Sequence, residues 1–213
     1  MTTLYHCADA RSFRALWALE ELGLPYELKL LPFPPRVLAR DYLKENPLGT
    51  IPLLVDGETR MTESAAIVQY LANRHGPSVL SVEPGDPAYG AWLNGLHYGE
   101  ATLTFPQTLV LRYTRLEPKE RRNPQVAEDY GKWFIARLRG LEAKLAQSDW
   151  YCADRFTGAD ISVGYALLLA TTLNLDGGFS PAIVDYWSRL QARDGFQAAK
   201  RSQASETTPD WQS

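Results

Sequence analysis

Two short stretches of the chain carry residue types whose spacing suggests recognition chemistry. In Thr50-Ile51-Pro52 a proline stands at the mouth of the apolar run LLV. Proline inside a central strand would waste a ladder hydrogen bond, so Pro52 belongs at the strand's first position. If the Ile51-Pro52 bond is cis, the Ile51 amide and carbonyl face outward at a sharp corner, where an extended peptide-like ligand can pair with them as an added strand does. Glu63-Ser64 then precedes the run AAIVQYL, at a predicted helix N-terminus. First-turn amides and a serine hydroxyl suit a carboxylate, while Glu63 suits an ammonium group. Together they describe the charged end of an amino acid; taken alone, the pair reads more readily as a helix cap.

Other chemistries are poorly represented. His6 and Cys7 have no further metal ligands at suitable spacing, so no metal site is expected. There is no phosphate loop, nucleophile elbow or zinc-protease motif. A net charge of -3 argues against nucleic acid as partner. The longest apolar stretch, Ile161 to Leu175, is broken by polar residues and falls short of the ~20 residues a membrane span needs, so it reads as a buried core helix. The start MTTLYHC lacks a signal-peptide pattern and the two cysteines lie far apart, which points to a reducing cytoplasm.

The elements that must position these residues follow from periodicity. Thr3 to Cys7 reads as a strand and Ala10 to Leu22 as a helix whose stripe is Phe13, Leu16, Trp17 and Leu22, stopped by Gly23 and Pro25. Tyr26 to Leu31 alternates as a second strand. PFPP is a rigid connector, and Val37 to Lys44 is a short helix. Ile51 to Val55 and Glu58 to Met61 form a hairpin, for which Asp56-Gly57 suggests a type I′ turn. A helix over Glu63 to His75 ends at Gly76-Pro77. The order is βαβαββα. Beyond SVEPGDP the strand signal vanishes and the pattern is helical, with a seam of Phe134, Leu138, Leu141 and Leu145 and a bend expected at Pro106. In FTGADI, Thr157 and Asp160 fit a capping box, with Phe156 and Ile161 as its hydrophobic staple.

Taken together, LYHCADARSFRALWALEELGLPYE, NPLGTIPLLVDG, TESAAIVQYL and FTGADISVGYAL resemble the cytosolic glutathione S-transferase family. The resemblance implies a thioredoxin-like α/β N-terminal domain over residues 1–77, a linker over 78–87 and an all-α C-terminal helical domain over 88–213. It also implies a cis-Pro52, glutathione as co-substrate in a cleft between the domains, and a homodimer. By resemblance Glu63 and Ser64 take the γ-glutamyl amine and carboxylate, and Thr50, Ile51 and Pro52 hold the cysteinyl part. Tyr98, Phe105, Leu109 and Tyr113 would line the pocket for a hydrophobic second substrate; their spacing alone fits core or interface as readily.

Such an enzyme must hold sulfur as thiolate, from an ordinary thiol pKa near ~8.5. Where theta-like and zeta-like members have serine this chain has Asp9 or Ala10, and where beta-like members have cysteine it has Arg11. Ser12 in the first turn of the helix ranks first as substitute, followed by Tyr5 and Arg11. Each has a structural reading as well: Ser12 as a cap, Tyr5 as core, Arg11 as surface charge. An anionic Asp9 would oppose ionisation unless turned away or paired. The expected function is a glutathione transferase. One alternative is a glutathione-dependent disulfide or peroxide reductase using Cys7, which could also be a small buried hydrophobe. The other is a non-catalytic binding member of the fold.

Overall fold

The first strand, β1 (Thr2–His6), buries Leu4 and His6 on one side and leaves Thr3 and Tyr5 half-buried on the other. The structure is a computed structural model that describes residues 1–74 and 76–204. Helix α1 (Phe13–Leu22) follows, burying Phe13, Leu16 and Trp17 completely, each of which contributes about 1.5–3 kcal/mol. Gly23 ends it at φ 61, the left-handed conformation of the expected C′ residue. Strand β2 (Tyr26–Leu30) pairs parallel to β1. A short helix α2 (Pro35–Leu38) and a 3₁₀ turn over Arg40–Lys44 replace the single helix expected there. Ala39 adopts φ -135 and ψ 64 between them, outside helical values.

Strand β3 (Leu53–Asp56) runs antiparallel to β1 and to β4 (Thr59–Met61), and helix α3 (Ser64–Arg74) closes the βαβαββα unit. The sheet order is β2-β1-β3-β4. The hairpin turn differs from expectation. Asp56 pairs with Thr59, so the loop is Gly57-Glu58, and of these two only Gly57 has positive φ. A type I′ turn needs positive φ at both central residues, so that assignment is corrected. The predicted helix end at His75 lies outside the described residues.

The chain divides into two compact units, Met1–Ser81 with the described residues from Ala192 on, and Val82–Gln191. The second unit is helical: α4 (Tyr89–His97), α5 (Phe105–Leu111), α6 (Pro124–Leu145), α7 (Gly158–Thr172) and α8 (Pro181–Gln191). Immediately before Pro106 the helix widens into a π-helical stretch over Tyr98–Thr104. In α7 the capping box forms as expected: the Thr157 amide donates to Asp160 Oδ2 at 2.8 Å and Thr157 Oγ1 accepts from the Ala159 amide at 3.2 Å.

The last helix, α9 (Asp194–Ser202), belongs to the first unit and packs on α1. Phe196 meets Trp17 edge-on at 5.0 Å and Phe13 at 5.4 Å, and Arg193 clasps Glu21 through two contacts of 2.7 Å. The domain bounds implied by the resemblance assign residues 88–213 to the C-terminal helical domain, whereas the contacts group the described residues from Ala192 on with the first unit. Nothing local in DGFQAAKRS shows that its apolar face meets a helix near the start of the chain.

Candidate functional site

Three pieces of the first unit gather the residues singled out in the sequence. The first is the NPLGTIP loop. Asn46 is buried and braces it, accepting from the Leu48 amide at 3.1 Å and donating to the Thr50 carbonyl at 2.8 Å. The Tyr42 hydroxyl donates to the same carbonyl at 2.7 Å. Gly49 sits at φ 61, and a Cβ there would come within 2.6 Å of the Arg36 Cβ, so only glycine fits. The Ile51-Pro52 bond is cis, as expected. Thr50 is exposed, but its carbonyl is already used by Tyr42 and Asn46. Ile51 is half-buried, and β3 begins at Leu53, so Pro52 stands just before the strand rather than at its expected first position.

The second piece is the start of α3. Glu63 is exposed and its carbonyl accepts the Ile67 amide at 2.9 Å, which makes it the residue at the helix mouth. Ser64 is 4% exposed, and its Oγ accepts a 3.1 Å hydrogen bond from Nη1 of Arg14. Arg14, on α1, is wholly buried. A guanidinium beside a helix N-terminus adds positive potential to partial charges of the same sign, an arrangement suited to an anion. Arg14 was missed at the sequence level. The signal was a cation flanked by Phe13, Ala15, Leu16 and Trp17 in an otherwise apolar stretch.

The third piece is the turn from Cys7 to Ser12. Tyr5 pairs with Leu53 across β1 and β3, and continuing that register sets Cys7 opposite Ile51. The turn and the cis-proline thus lie at the same end of the sheet. Ser12 does not present its hydroxyl to a ligand. It is fully buried, with Oγ 2.7 Å from His6 Nδ1, and it accepts the Cys7 amide at 3.2 Å. Its role as the first-ranked catalytic hydroxyl therefore loses its physical basis: the oxygen is occupied inside the fold. Arg11 is half-buried in the turn, where its carbonyl accepts from the Arg14 amide at 3.3 Å. Tyr5 is half-buried with its ring 5.3 Å from that of Tyr42, and its hydroxyl makes no hydrogen bond among the described residues.

Cys7 is completely buried, and burial pushes its thiol up to about 12. Its sulfur lies 3.6 Å from the Pro32 carbonyl. A thiol so placed stays protonated and shielded, the opposite of what disulfide exchange needs. His6 is also buried, and desolvation lowers its pKa to about 4. Asp9 is paired, with Lys200 Nζ 2.7 and 2.8 Å from its two carboxylate oxygens.

In the helical unit, Phe105 is 53% exposed while Leu109 and Tyr113 are half-buried, at fourfold spacing along α5 and the π-helical turn Arg112–Leu116 that follows it. Tyr98 is committed to α6 instead, its hydroxyl donating to the Arg137 carbonyl at 2.5 Å. Among the described residues, no cluster of His, Cys, Asp and Glu could hold a metal ion and no helix is long and apolar enough to cross a membrane.

Residues 4–79 match the glutathione S-transferase N-terminal domain. The glutathione S-transferase GstB of Escherichia coli K12 is 32% identical over 195 residues, spanning 84% of this chain and 88% of its own length. The chain belongs to the glutathione S-transferase family. Ure2p5 from Phanerochaete chrysosporium, cocrystallized with 1-(S-glutathionyl)-2,4-dinitrobenzene, shares the fold at a TM-score of 0.83 and 26% identity, over 95% of this chain and 94% of that one. The relatives of this glutathione S-transferase family chain also include a stringent starvation protein A homolog of Haemophilus ducreyi, 26% identical over 195 residues that cover 88% of this chain and 84% of the relative.

Proposed function

We propose that this chain binds glutathione along the edge formed by Ile51, cis-Pro52, Glu63 and Ser64, and adds it, through its thiolate, to an electrophilic carbon of a hydrophobic small molecule, the thiol proton leaving to solvent. The observation that carries the reading is the buried Arg14-Ser64 hydrogen bond at 3.1 Å, because it turns a possible helix cap into a charged anion seat. The guanidinium donates to Ser64 Oγ, so the serine proton is left to point at an acceptor, and a carboxylate is the acceptor the first-turn amides also favour. Exposed Glu63 supplies the opposite charge for the amine. Thr50 contributes by bracing the loop through its carbonyl, and contact with the ligand falls to Ile51 and Pro52.

With Ser12 withdrawn into the fold, the thiolate falls to Tyr5 and Arg11. Tyr5 has a hydroxyl without a protein partner among the described residues, and Arg11 brings a cation to the turn beside Ile51. A hydroxyl donor and a positive charge both favour ionised sulfur. Much of the catalysis is then positioning and stabilisation of negative charge. Phe105, Leu109 and Tyr113 are the apolar side chains proposed to receive the electrophile, with Tyr98 held aside by Arg137. A homodimer in the cytoplasm is the proposed working form, and sedimentation at micromolar concentration checks the assembly.

The test is conjugation of glutathione to 1-chloro-2,4-dinitrobenzene, read with the ultraviolet absorbance of bound thiolate near ~240 nm across pH, in the wild type and in Tyr5→Phe and Arg11→Ala. Bound thiol that ionises well below the free value supports the reading, and a rise in that midpoint in either variant assigns the role. Binding without ionisation or turnover favours the second reading, a non-catalytic member of the fold. That reading draws support from the absence of serine and cysteine at the positions other classes use. Reductase chemistry through Cys7 is disfavoured by the burial of its sulfur.

A further inference from the structure

The turn between β1 and α1 is tied to the far end of the chain. Asp9 adopts φ 51, a left-handed conformation uncommon outside glycine and the Asx residues. Both its carboxylate oxygens meet Lys200 Nζ, at 2.7 and 2.8 Å, and Oδ1 also accepts from Nε2 of Gln203. The Asp9 amide donates to Gln203 Oε1 at 3.1 Å. An amide N–H can only donate and an ionised carboxylate can only accept, so the orientation of the Gln203 side chain is forced. Its Oε1 then lies 2.9 Å from His6 Nε2, and that nitrogen must carry the proton. His6 Nδ1 is thereby left as the acceptor for the Ser12 hydroxyl 2.7 Å away. Gln203 thus sets the tautomer of His6, His6 sets the hydroxyl of Ser12, and Ser12 accepts the Cys7 amide at 3.2 Å.

We propose that Lys200 and Gln203 are positioning residues for sulfur activation: by clasping Asp9 they cancel the negative charge carried by the turn beside Ile51 and hold that turn in one shape. The inference rests on the glutathione reading above. Without Lys200, a carboxylate in this turn would oppose a second negative charge nearby. The pair is well placed to resist solvent screening, since the Asp9 side chain is only 12% exposed. The other ionisable groups at the turn are His6 and Cys7, both held neutral by burial, and the cation Arg11. None of this was visible in the sequence, where Asp9 appears as an unfavourable charge and Lys200 as one surface cation among many.

The experiment follows the ionisation midpoint of bound glutathione by thiolate absorbance in the full-length wild type, Lys200→Met, Lys200→Arg, Asp9→Asn and the double variant Asp9→Asn/Lys200→Met, with melting temperature recorded for each. Lys200→Met is expected to raise the midpoint by about one pH unit. Lys200→Arg keeps the charge and should stay near wild type, and the double variant should return most of the way because the carboxylate is gone together with its cation. Lowered melting temperatures with an unmoved midpoint in Lys200→Met overturn the proposal and leave the clasp a purely structural tie. If Lys200→Met does not fold, Asp9→Asn decides: its unpartnered Lys200 must lower the midpoint, and an unchanged value overturns the proposal. A wild type that binds no glutathione defeats the functional reading itself, a result distinct from binding with insensitive ionisation.

Discussion

Arg14 Nη1 donates to Ser64 Oγ at 3.1 Å, joining the first helix to the start of α3 across a separation of 50 residues, with the arginine wholly out of solvent. Burying a guanidinium is costly unless it is hydrogen-bonded and faces compensating charge. A bound carboxylate at Ser64 would supply part of that compensation. Arg14→Met should therefore weaken glutathione binding by about 10- to 100-fold, the range for hydrogen bonds to charged groups of about 1.5–3 kcal/mol. Calorimetry with glutathione and with an analogue lacking the γ-glutamyl α-carboxylate checks it. The wild type should prefer glutathione, and the variant should lose most of that preference. Equal losses for both ligands would contradict an anion seat.

How much of this could be read in advance depends on the range of the interaction. The βαβαββα order and the Thr157-Asp160 box are written in local patterns, the cis-Pro52 corner is implied by the family resemblance, and all three form. Strand and helix boundaries moved because the turn Cys7 to Ser12 is held by side chains that local propensity ignores. Ser12 looks like a first-turn hydroxyl in sequence, and only the fold shows that His6 and the Cys7 amide occupy it. Arg14, Lys200 and Gln203 bond residues 50, 191 and 194 to 197 positions away, and no periodicity encodes such partners.

Replacing Cys7 with alanine is expected to leave turnover within about twofold of wild type. The thiol is fully buried, pushed up to about 12, and packed as a small apolar group. Deleting its sulfur costs at most the few kcal/mol of a small core truncation. Steady-state conjugation assays and mass-spectrometric alkylation of the native protein check both halves. Rapid alkylation of Cys7 under native conditions, or loss of turnover in Cys7→Ala, would reopen the redox reading.

The capping box of α7 carries more than a cap. Asp160 is entirely buried and accepts the Thr157 amide at 2.8 Å, the Tyr151 amide at 2.9 Å and the Tyr186 hydroxyl at 2.8 Å. Thr157→Ala should cost about 0.5–2 kcal/mol, as cap removals do. Asp160→Ala should cost more, about 1–3 kcal/mol for each buried donor left without an acceptor. At about 2–4 °C per kcal/mol for a chain of this size, the two variants separate clearly in a calorimetric melt. Equal melting temperatures would show that the donors find other partners.

Acid should weaken the fold through His6. Burial lowers its pKa from 6.5 to about 4, and the Gln203 hydrogen bond only partly opposes that shift. Between these values the unfolded chain binds a proton that the native chain does not, so native stability rises with pH across the window and falls as the pH drops from 6.5 toward 4. Going from pH 7 to pH 5 should remove about 2 kcal/mol from this group alone. Denaturant melts of wild type and His6→Gln at the two pH values isolate the contribution, because carboxylates titrating over the same range are common to both. The variant starts less stable, having lost the imidazole that bridges Ser12 and Gln203, yet its loss between pH 7 and pH 5 should be smaller by that amount. Identical losses would mean that His6 takes up a proton as readily in the fold as in the unfolded chain, so that burial does not lower its pKa.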